Sequence, residues 1–211
     1  MSPRPRVVSD TEILTGAARA IGRLGPAKLT LLDVAKEVGM SPAALVQRFG
    51  SKRKLLLSLA ARGPEANRSL FEEIRLAHRS PYRRLLAMAD CMAAHGSTPE
   101  EISNGLAFLQ IDLIDPQFHR FALSSSEQIH EGIRSLVMEA VQARELIGCN
   151  AARLAHALQA AMNGSLLNWA IHRTGSLRAW IRRDLETLLR PYRPSSRRPR
   201  RKGTRPRPWS R

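Results

Sequence analysis

Gln47 and Arg48 are two long polar side chains that stand next to each other in a stretch of small and apolar residues. A glutamine amide can form two hydrogen bonds with adenine, and an arginine guanidinium can form two with guanine or bind a phosphate. The neighbouring Ala43 and Ala44 permit close approach to a base edge and can touch a thymine methyl. These residue types at this spacing favour contact with double-stranded DNA.

The helix that would carry these side chains is predicted over residues 42–49. Ser41 is a good N-cap, and Pro42 occupies the first helical position, where no backbone N–H is needed. Leu45 and Phe49 are four residues apart, so both are expected to point toward a core on the same face.

A second short helix is predicted just before it, over residues 31–38. Thr30 and Asp33 form the pattern of a helix start in which both side chains pair with free backbone N–H groups. Gly39 can adopt the left-handed conformation that ends a helix. Two capped helices joined by a short turn with glycine are typical of a helix-turn-helix, whose second helix enters the major groove. An ordinary helical hairpin is the alternative.

The outward residues of the second helix are expected to face DNA bases. Thr30 and Lys52, together with the N–H groups at both helix starts, are expected to hold phosphates. For Arg48 and Lys52, ordinary surface charge is the alternative. The predicted DNA-binding residues are Thr30, Ser41, Pro42, Ala43, Ala44, Val46, Gln47, Arg48 and Lys52.

Helices are also predicted on both sides of this pair. Residues 9–24 begin with a capping pattern of Ser9 with Glu12, carry apolar residues at helical spacing and end before a Gly-Pro pair. A further helix is predicted over residues 51–62. Three helices within about fifty residues, followed by a linking helix, form a compact unit.

Residues 9–56 resemble the N-terminal domain of the TetR/AcrR family of bacterial transcriptional regulators. The family usually has an aromatic residue, most often tyrosine, where this chain has Val46, which puts one phosphate contact in question. The features that carry the resemblance are the helix ending in Leu24-Gly25, the T-x-x-D-V-A run from Thr30 to Ala35, Gly39-Met40-Ser41, Leu45 with Phe49, and Ser51-Lys52 followed by Leu55-Leu56.

The resemblance implies a homodimer in which the final two helices of each subunit, here residues 150–172 and 176–189, form a four-helix interface. Burial of both helices within one subunit is the alternative. The resemblance also places Gly63-Pro64 where ligand occupancy would be transmitted to the DNA-binding unit, although a plain helix boundary would look the same. The predicted dimer contacts are Ala157, Ala160, Ala161, Gly164, Leu177, Trp180, Ile181, Leu185 and Leu188.

A small-molecule pocket is predicted between the helices of the C-terminal part. Methionine and aromatic side chains suit an adaptable, mostly apolar site, but an ordinary core has the same pattern. Asp112 would anchor a cationic ligand if it is buried; otherwise it faces water. The predicted pocket residues are Met88, Met92, Leu109, Asp112, Phe121, Ile133, Met162 and Trp169.

The predicted fold is all-α, with an N-terminal three-helix helix-turn-helix DNA-binding domain and a C-terminal helical ligand-binding and dimerisation domain. A helix over residues 104–114 is apolar nearly all round and is expected in the interior. A short piece around Phe118 and Phe121 is expected to precede a separate helix over residues 126–143. The predicted divisions are a flexible basic arm (1–8), the DNA-binding domain (9–56), the regulatory and dimerisation domain (57–190) and a disordered Pro/Arg-rich tail (191–211).

The formal net charge is +16, and the tail alone contributes nine basic residues and no acid. The tail is either a non-specific nucleic-acid arm or a solvated extension. The arm, with Arg4 and Arg6, either enters a minor groove or is a frayed terminus.

Catalytic and cofactor motifs are not found. The six histidines lack metal-ligand spacing, and no nucleophile elbow, P-loop or dinucleotide motif occurs, so neither an enzyme nor a cofactor is predicted. With only two cysteines, no signal peptide and no membrane span, a cytoplasmic protein without disulfides is expected.

The sequence therefore predicts a homodimeric repressor that binds a palindromic operator and is released by an unidentified small-molecule effector. A basic architectural DNA-binding protein without an inducer is the alternative. A helical scaffold that binds a protein partner through the tail is a third possibility.

Overall fold

The computed structural model describes residues 8–94, 96 and 98–194, which fold into α-helices without any strand. The arm residues 1–7 and the tail from residue 195 lie outside the described residues. A short 3-10 helix, Arg190–Tyr192, follows the last α-helix. The α-helices are α1 (Asp10–Lys28), α2 (Leu31–Val38), α3 (Pro42–Phe49), α4 (Lys52–Ala61), α5 (Gly63–Ala77), α6 (Pro81–Ala94), α7 (Pro99–Ile114), α8 (Pro116–Gln142), α9 (Ala151–His172) and α10 (Leu177–Leu189).

The helix starts confirm the predicted caps. At the start of α1 the Ser9 hydroxyl accepts from the Glu12 N–H at 3.2 Å, and the Glu12 carboxylate accepts from the Ser9 N–H at 2.8 Å. Thr30 and Asp33 make the same reciprocal pair at the start of α2. Each pair satisfies two backbone donors that the first helical turn leaves free, so the boundaries are fixed locally.

Gly25 interrupts α1 at the predicted place. Its φ of 74° and ψ of 159° are not helical, and Pro26 begins one more short turn. Asn104 of α7 reaches this kink, where its side-chain Nδ2 donates to the Gly22 carbonyl at 2.7 Å. A Cβ added at Gly25 would lie 2.6 Å from the Asn104 Oδ1, so only glycine fits beside that side chain.

The buried residues form two cores. The N-terminal core lies among α1 to α4, yet it also contains Phe118 of α8, and Phe108 and Ile111 of α7 pack against it. The second core lies among α5, α6 and α8 to α10, with Ile102 of α7. The C-terminal part of the chain therefore supplies apolar side chains to the core of the N-terminal helices.

The helix α8 differs from its prediction, because the short piece and the longer helix are one helix of 27 residues. No proline interrupts the chain between Phe118 and Ile133, and both residues are buried on the same helix. Phe118 belongs to the N-terminal core and Ile133 to the second core, so α8 spans the two.

The prediction that α7 lies in the interior is wrong for the single subunit. Its only buried hydrophobic residue is Ile102, whereas Leu113 and Ile114 are 65% and 74% exposed. One side of α7 packs against α1 and α8, and the apolar residues on its other side face outward.

Three predicted dimer contacts are also corrected by their burial. Leu177, Ile181 and Leu185 of α10 are at most 3% exposed, and all three belong to the second core. They pack inside their own subunit, so they are not available to a partner helix.

Two parts of the predicted flexible arm (1–8) and disordered tail (191–211), Val8 and residues 191–194, are ordered in the structure. Val8 is buried in the N-terminal core. The carbonyl of Tyr192 accepts from the Ile147 N–H at 2.8 Å, and the Arg193 guanidinium lies 4.2 Å from the centre of the Tyr82 ring. These contacts order residues 191–194 against the body.

Candidate nucleic-acid interface

The turn between α2 and α3 is held by backbone hydrogen bonds. Gly39 adopts a φ of 68° and ψ of 36°, which ends α2 in the left-handed conformation. The Met40 N–H donates to the Ala35 carbonyl at 2.9 Å, and the Ser41 hydroxyl accepts from the Ala44 N–H at 3.2 Å. The angle between the two helices is therefore set by capping within the turn.

One side of α3 packs against the N-terminal core, and its opposite side is exposed to solvent. Leu45 is fully buried and Phe49 is half-buried, as predicted. Val46 and Gln47 are exposed on the opposite side. Among the other predicted contacts on α3, Pro42, Ala43 and Arg48 are exposed and Ala44 is half-buried. The exposed side of α3 thus presents the Gln47 amide between small and apolar neighbours.

Arg48 is held by the start of α1. Its Nη1 donates to the Val8 carbonyl at 2.5 Å, and its Nε lies 2.5 Å from a carboxylate oxygen of Asp10. About a third of its side chain is exposed, compared with 64% for Asp10. Sequence reasoning missed these partners because Val8 lies 40 residues away and neither residue carries a motif.

The two predicted phosphate ligands outside α3 also have partners within the chain. The Thr30 hydroxyl donates to the Asp33 carboxylate at 2.6 Å, and this bond lowers the pKa of Asp33. The Lys52 ammonium donates to the Ala27 carbonyl at 3.2 Å. An ammonium has three donors, so Lys52 keeps two for a phosphate.

Two ion-pair clusters hold the helices that surround α3. Glu37 of α2 accepts at 2.8 Å from both Arg19 and Arg23 of α1, and these hydrogen bonds lower its pKa. Arg53 of α4 lies 2.6 Å from a carboxylate oxygen of Asp115, which caps the start of α8. Neither cluster was predicted, since each joins residues that become neighbours only after the helices pack.

The predicted pocket residues differ in burial, and those of the second core pack against one another. Met88, Ile133, Met162 and Trp169 are buried in the second core, with Met92 packed against them, whereas Leu109 is exposed. Phe121 is half-buried. Two clefts among the described residues, of about 560 and 390 Å³, are lined by other residues.

Asp112 is the exception within that set, because its environment is unusual for an acid. It is half-buried on α7, and burial raises its pKa from 3.8 to about 6. A cationic neighbour would stabilise the charged form of such a half-buried carboxyl group and lower its pKa.

No group of three or more histidine, cysteine or acidic residues in the described part of the chain is arranged to hold a metal ion. None of the helices described has both the length and the apolar character that a membrane crossing requires.

Residues 13–59, which run from α1 into α4, match the family model described as bacterial regulatory proteins, tetR family. Residues 13–59 therefore form a domain of the tetR family of bacterial regulatory proteins. That domain is the DNA-binding part of the chain. No curated protein matches the chain.

Solved structures show the same fold over most of this chain. A TetR transcription regulator from Haloarcula marismortui is 16% identical with a TM-score of 0.70, and the match covers 88% of this chain and 98% of the other. PfmR from Thermus thermophilus is 20% identical with a TM-score of 0.61, covering 84% and 97%. FadR from Bacillus subtilis, solved in complex with stearoyl-CoA, is 15% identical with a TM-score of 0.58, covering 86% and 98%.

Proposed function

We propose that this regulator is a homodimeric repressor that binds a palindromic operator and leaves it when a small molecule binds. The observation that carries the proposal is the exposed side of α3, where the Gln47 amide is free to enter a groove while Leu45 fixes the helix from below. A glutamine can pair with adenine through two hydrogen bonds. A dimer would place two such helices in major grooves one helical turn apart.

The proposed dimer face lies on the outward side of α9. Leu167 and Ile171 are exposed there, and Ile171 is 75% exposed. Ala160 and Gly164 lie nearby and would let a partner helix approach closely. Of the predicted contacts on α10, Trp180 and Leu188 are half-buried, and we propose that their exposed parts also contact the partner.

The proposed effector is an apolar molecule with a cationic group. Met88, Met162 and the neighbouring core provide apolar packing, and methionine side chains can rearrange to admit a ligand. Asp112 would pair with the cationic group, which would lower its pKa again. The stearoyl-CoA complex of FadR shows that a protein with this fold binds a molecule with a long apolar chain.

We propose that the conformational change caused by effector binding is transmitted to α3 through the junction of α4 and α5. Gly63 begins α5, and a Cβ added there would lie 2.4 Å from the Ser125 hydroxyl of α8. The side-chain Nδ2 of Asn67 donates to the Ser125 carbonyl at 3.2 Å. A shift of α8 would therefore move the start of α5, and replacing Gly63 and Pro64 with alanine should alter the effector response more than operator affinity. An unchanged response would remove the hinge from the proposal.

The function is tested by selecting binding sites from random DNA with the full-length protein, then repeating the binding with apolar and cationic compounds. A two-fold symmetric site with two half-sites, released by one class of compound, is the expected result. Steep salt dependence with little sequence preference would instead favour a basic architectural protein. Removal of residues 191–211 is a useful control, because operator choice should survive it.

A further inference from the structure

A cleft of about 390 Å³ lies where the DNA-binding helices meet the rest of the chain. One side is formed by the C-terminal part of α1, and the other by the first turns of α7 and by the residue that follows α9. Small-molecule sites have volumes of about 300–1,000 Å³, so this cleft is large enough for a small ligand. Its lining consists of Arg23, Leu24, Lys28, Pro99, Glu100, Ser103, Asn104 and Arg173.

The charged side chains of this lining are mainly basic. Arg23, Lys28 and Arg173 are exposed, and Glu100 is the acid among the lining residues. Arg23 donates from one terminal nitrogen to Glu37 at 2.8 Å. A guanidinium has five N–H groups, so this ion pair does not use up its donors. The cleft therefore presents several charged donors and an excess of positive charge.

Arg173 is placed at the cleft by the conformation that ends α9. Its φ of 57° and ψ of 31° are left-handed, which is uncommon for a residue other than glycine. The Arg173 N–H donates to the Trp169 carbonyl at 2.8 Å and closes the last turn of α9. A glycine adopts the same conformation without steric cost, so replacing Arg173 with glycine would remove the guanidinium and keep the backbone.

The two sides of the cleft are already joined by one hydrogen bond. The side-chain Nδ2 of Asn104 on α7 donates to the Gly22 carbonyl of α1 at 2.7 Å. The cleft also lies next to a predicted phosphate ligand, because the Lys52 ammonium donates to the carbonyl of Ala27, the residue before Lys28. A ligand held by both sides would therefore strengthen the contact between α1 and α7 and change the charge beside Lys52.

We propose that this cleft binds a small anion that carries a phosphate group, and that the bound anion weakens operator binding. Arg23 and Lys28 hold the phosphate from α1, and Arg173 holds it from the opposite side. A guanidinium pairs with two phosphate oxygens at once, and a lysine ammonium adds a point charge. Negative charge brought beside Lys28 reduces the positive potential that attracts DNA. The site is separate from the proposed apolar effector site, and only its effect on DNA rests on the proposed operator binding.

The site is tested with inorganic pyrophosphate and the full-length protein, without DNA, by isothermal titration calorimetry at constant ionic strength. Arg173→Gly and Lys28→Gln should each weaken pyrophosphate binding by about five- to tenfold, as expected when one partly exposed charge-assisted hydrogen bond is lost. Arg144→Gly is the matched control, because Arg144 is also exposed and left-handed, with a φ of 56°, but lies outside the cleft. It removes the same charge at a distance where salt screens it, so pyrophosphate binding should stay within about twofold of the wild type.

The effect on DNA is measured by fluorescence anisotropy with the selected operator. Pyrophosphate should weaken operator binding by the wild-type protein at least about fivefold relative to sodium chloride of the same ionic strength, and operator DNA should weaken pyrophosphate binding by the same factor. Arg173→Gly should lose this response, whereas Arg144→Gly should keep it.

Equal pyrophosphate binding by the wild type and Arg173→Gly would refute the site, and equal losses in Arg173→Gly and Arg144→Gly would show that binding follows net charge alone. If Arg173→Gly reduces the salt dependence of operator binding but leaves pyrophosphate binding unchanged, the cleft holds a phosphate of the DNA backbone and not a free anion. Specific pyrophosphate binding without any effect on operator affinity would remove the regulatory role. If no operator is selected but pyrophosphate binds as expected, the site stands and the proposed function fails.

Discussion

Replacing Gly25 with alanine should destabilise the protein through two separate costs. The φ of 74° with ψ of 159° is a region that essentially only glycine occupies, and an alanine held there costs about 1–3 kcal/mol. The added Cβ would also lie 2.6 Å from the Asn104 Oδ1, so Asn104 must move away. That movement removes its hydrogen bond to the Gly22 carbonyl, worth about 1 kcal/mol. The expected loss in the free energy of unfolding is about 2–4 kcal/mol.

The assay is urea unfolding followed by circular dichroism at one fixed protein concentration, since self-association would otherwise change the apparent stability. Gly22→Ala is the control, because its Cβ would meet only the Glu101 Cγ, at 4.0 Å, within a regular helix. That variant should be as stable as the wild type or more stable, by up to about 1 kcal/mol. In an Asn104→Ala background, Gly25→Ala should cost only the backbone term. A Gly25→Ala variant within about 0.5 kcal/mol of the wild type would refute the reasoning.

Three further predictions concern the body. Asp112→Asn should stabilise the protein by about 1–2 kcal/mol at pH 7, after allowance for partial exposure. Burial raises the pKa of Asp112 to about 6, so the carboxylate of the folded state takes up a proton as the pH falls from 7 to 4. The extra stability of Asp112→Asn over the wild type should therefore vanish toward pH 4. A stability difference in urea unfolding that stays constant from pH 7 to pH 4 would contradict the raised pKa. Glu139→Gln should lower the free energy of unfolding by about 2–3 kcal/mol in the same assay, since Arg75 and Arg84 donate to this carboxylate at 2.9 and 2.6 Å and would lose their charged partner. A loss below about 0.5 kcal/mol would show that these ion pairs do not stabilise the fold. Ile171→Ser should weaken dimerisation in sedimentation experiments and leave monomer stability nearly unchanged, because its side chain is 75% exposed on α9; unchanged dimerisation would move the interface elsewhere.

The helix-turn-helix was predictable because its determinants are close in sequence. Thr30 with Asp33 and Ser41 with Pro42 define two helix starts within twelve residues, and the structure begins α2 and α3 where these pairs predict. Caps satisfy backbone donors locally, so they act whatever the rest of the chain does. The same locality explains why Gly25 was correctly identified as the end of the regular part of α1.

The remaining features depend on contacts between distant residues. Arg48 was predicted to face DNA because its position on α3 is outward, but Asp10 and Val8 reach it only after α1 packs beside α3. Apolar periodicity indicated that α7 has two apolar sides; it could not reveal that only one of them is covered within a subunit. In α10 the same periodicity did not distinguish an internal core from an interface, and Ile181 belongs to the core.

Phe118 lies on α8 but is buried in the N-terminal core. This placement limits which chimeras with related proteins can fold. A chimera joined after α4 would lack Phe118, which is buried in the N-terminal core, and would leave Arg53 without its ion-pair partner Asp115. A chimera that takes its DNA-binding helices from this chain should therefore keep its solubility and operator preference only if it also contains the junction of α7 and α8, or equivalent residues in the other protein.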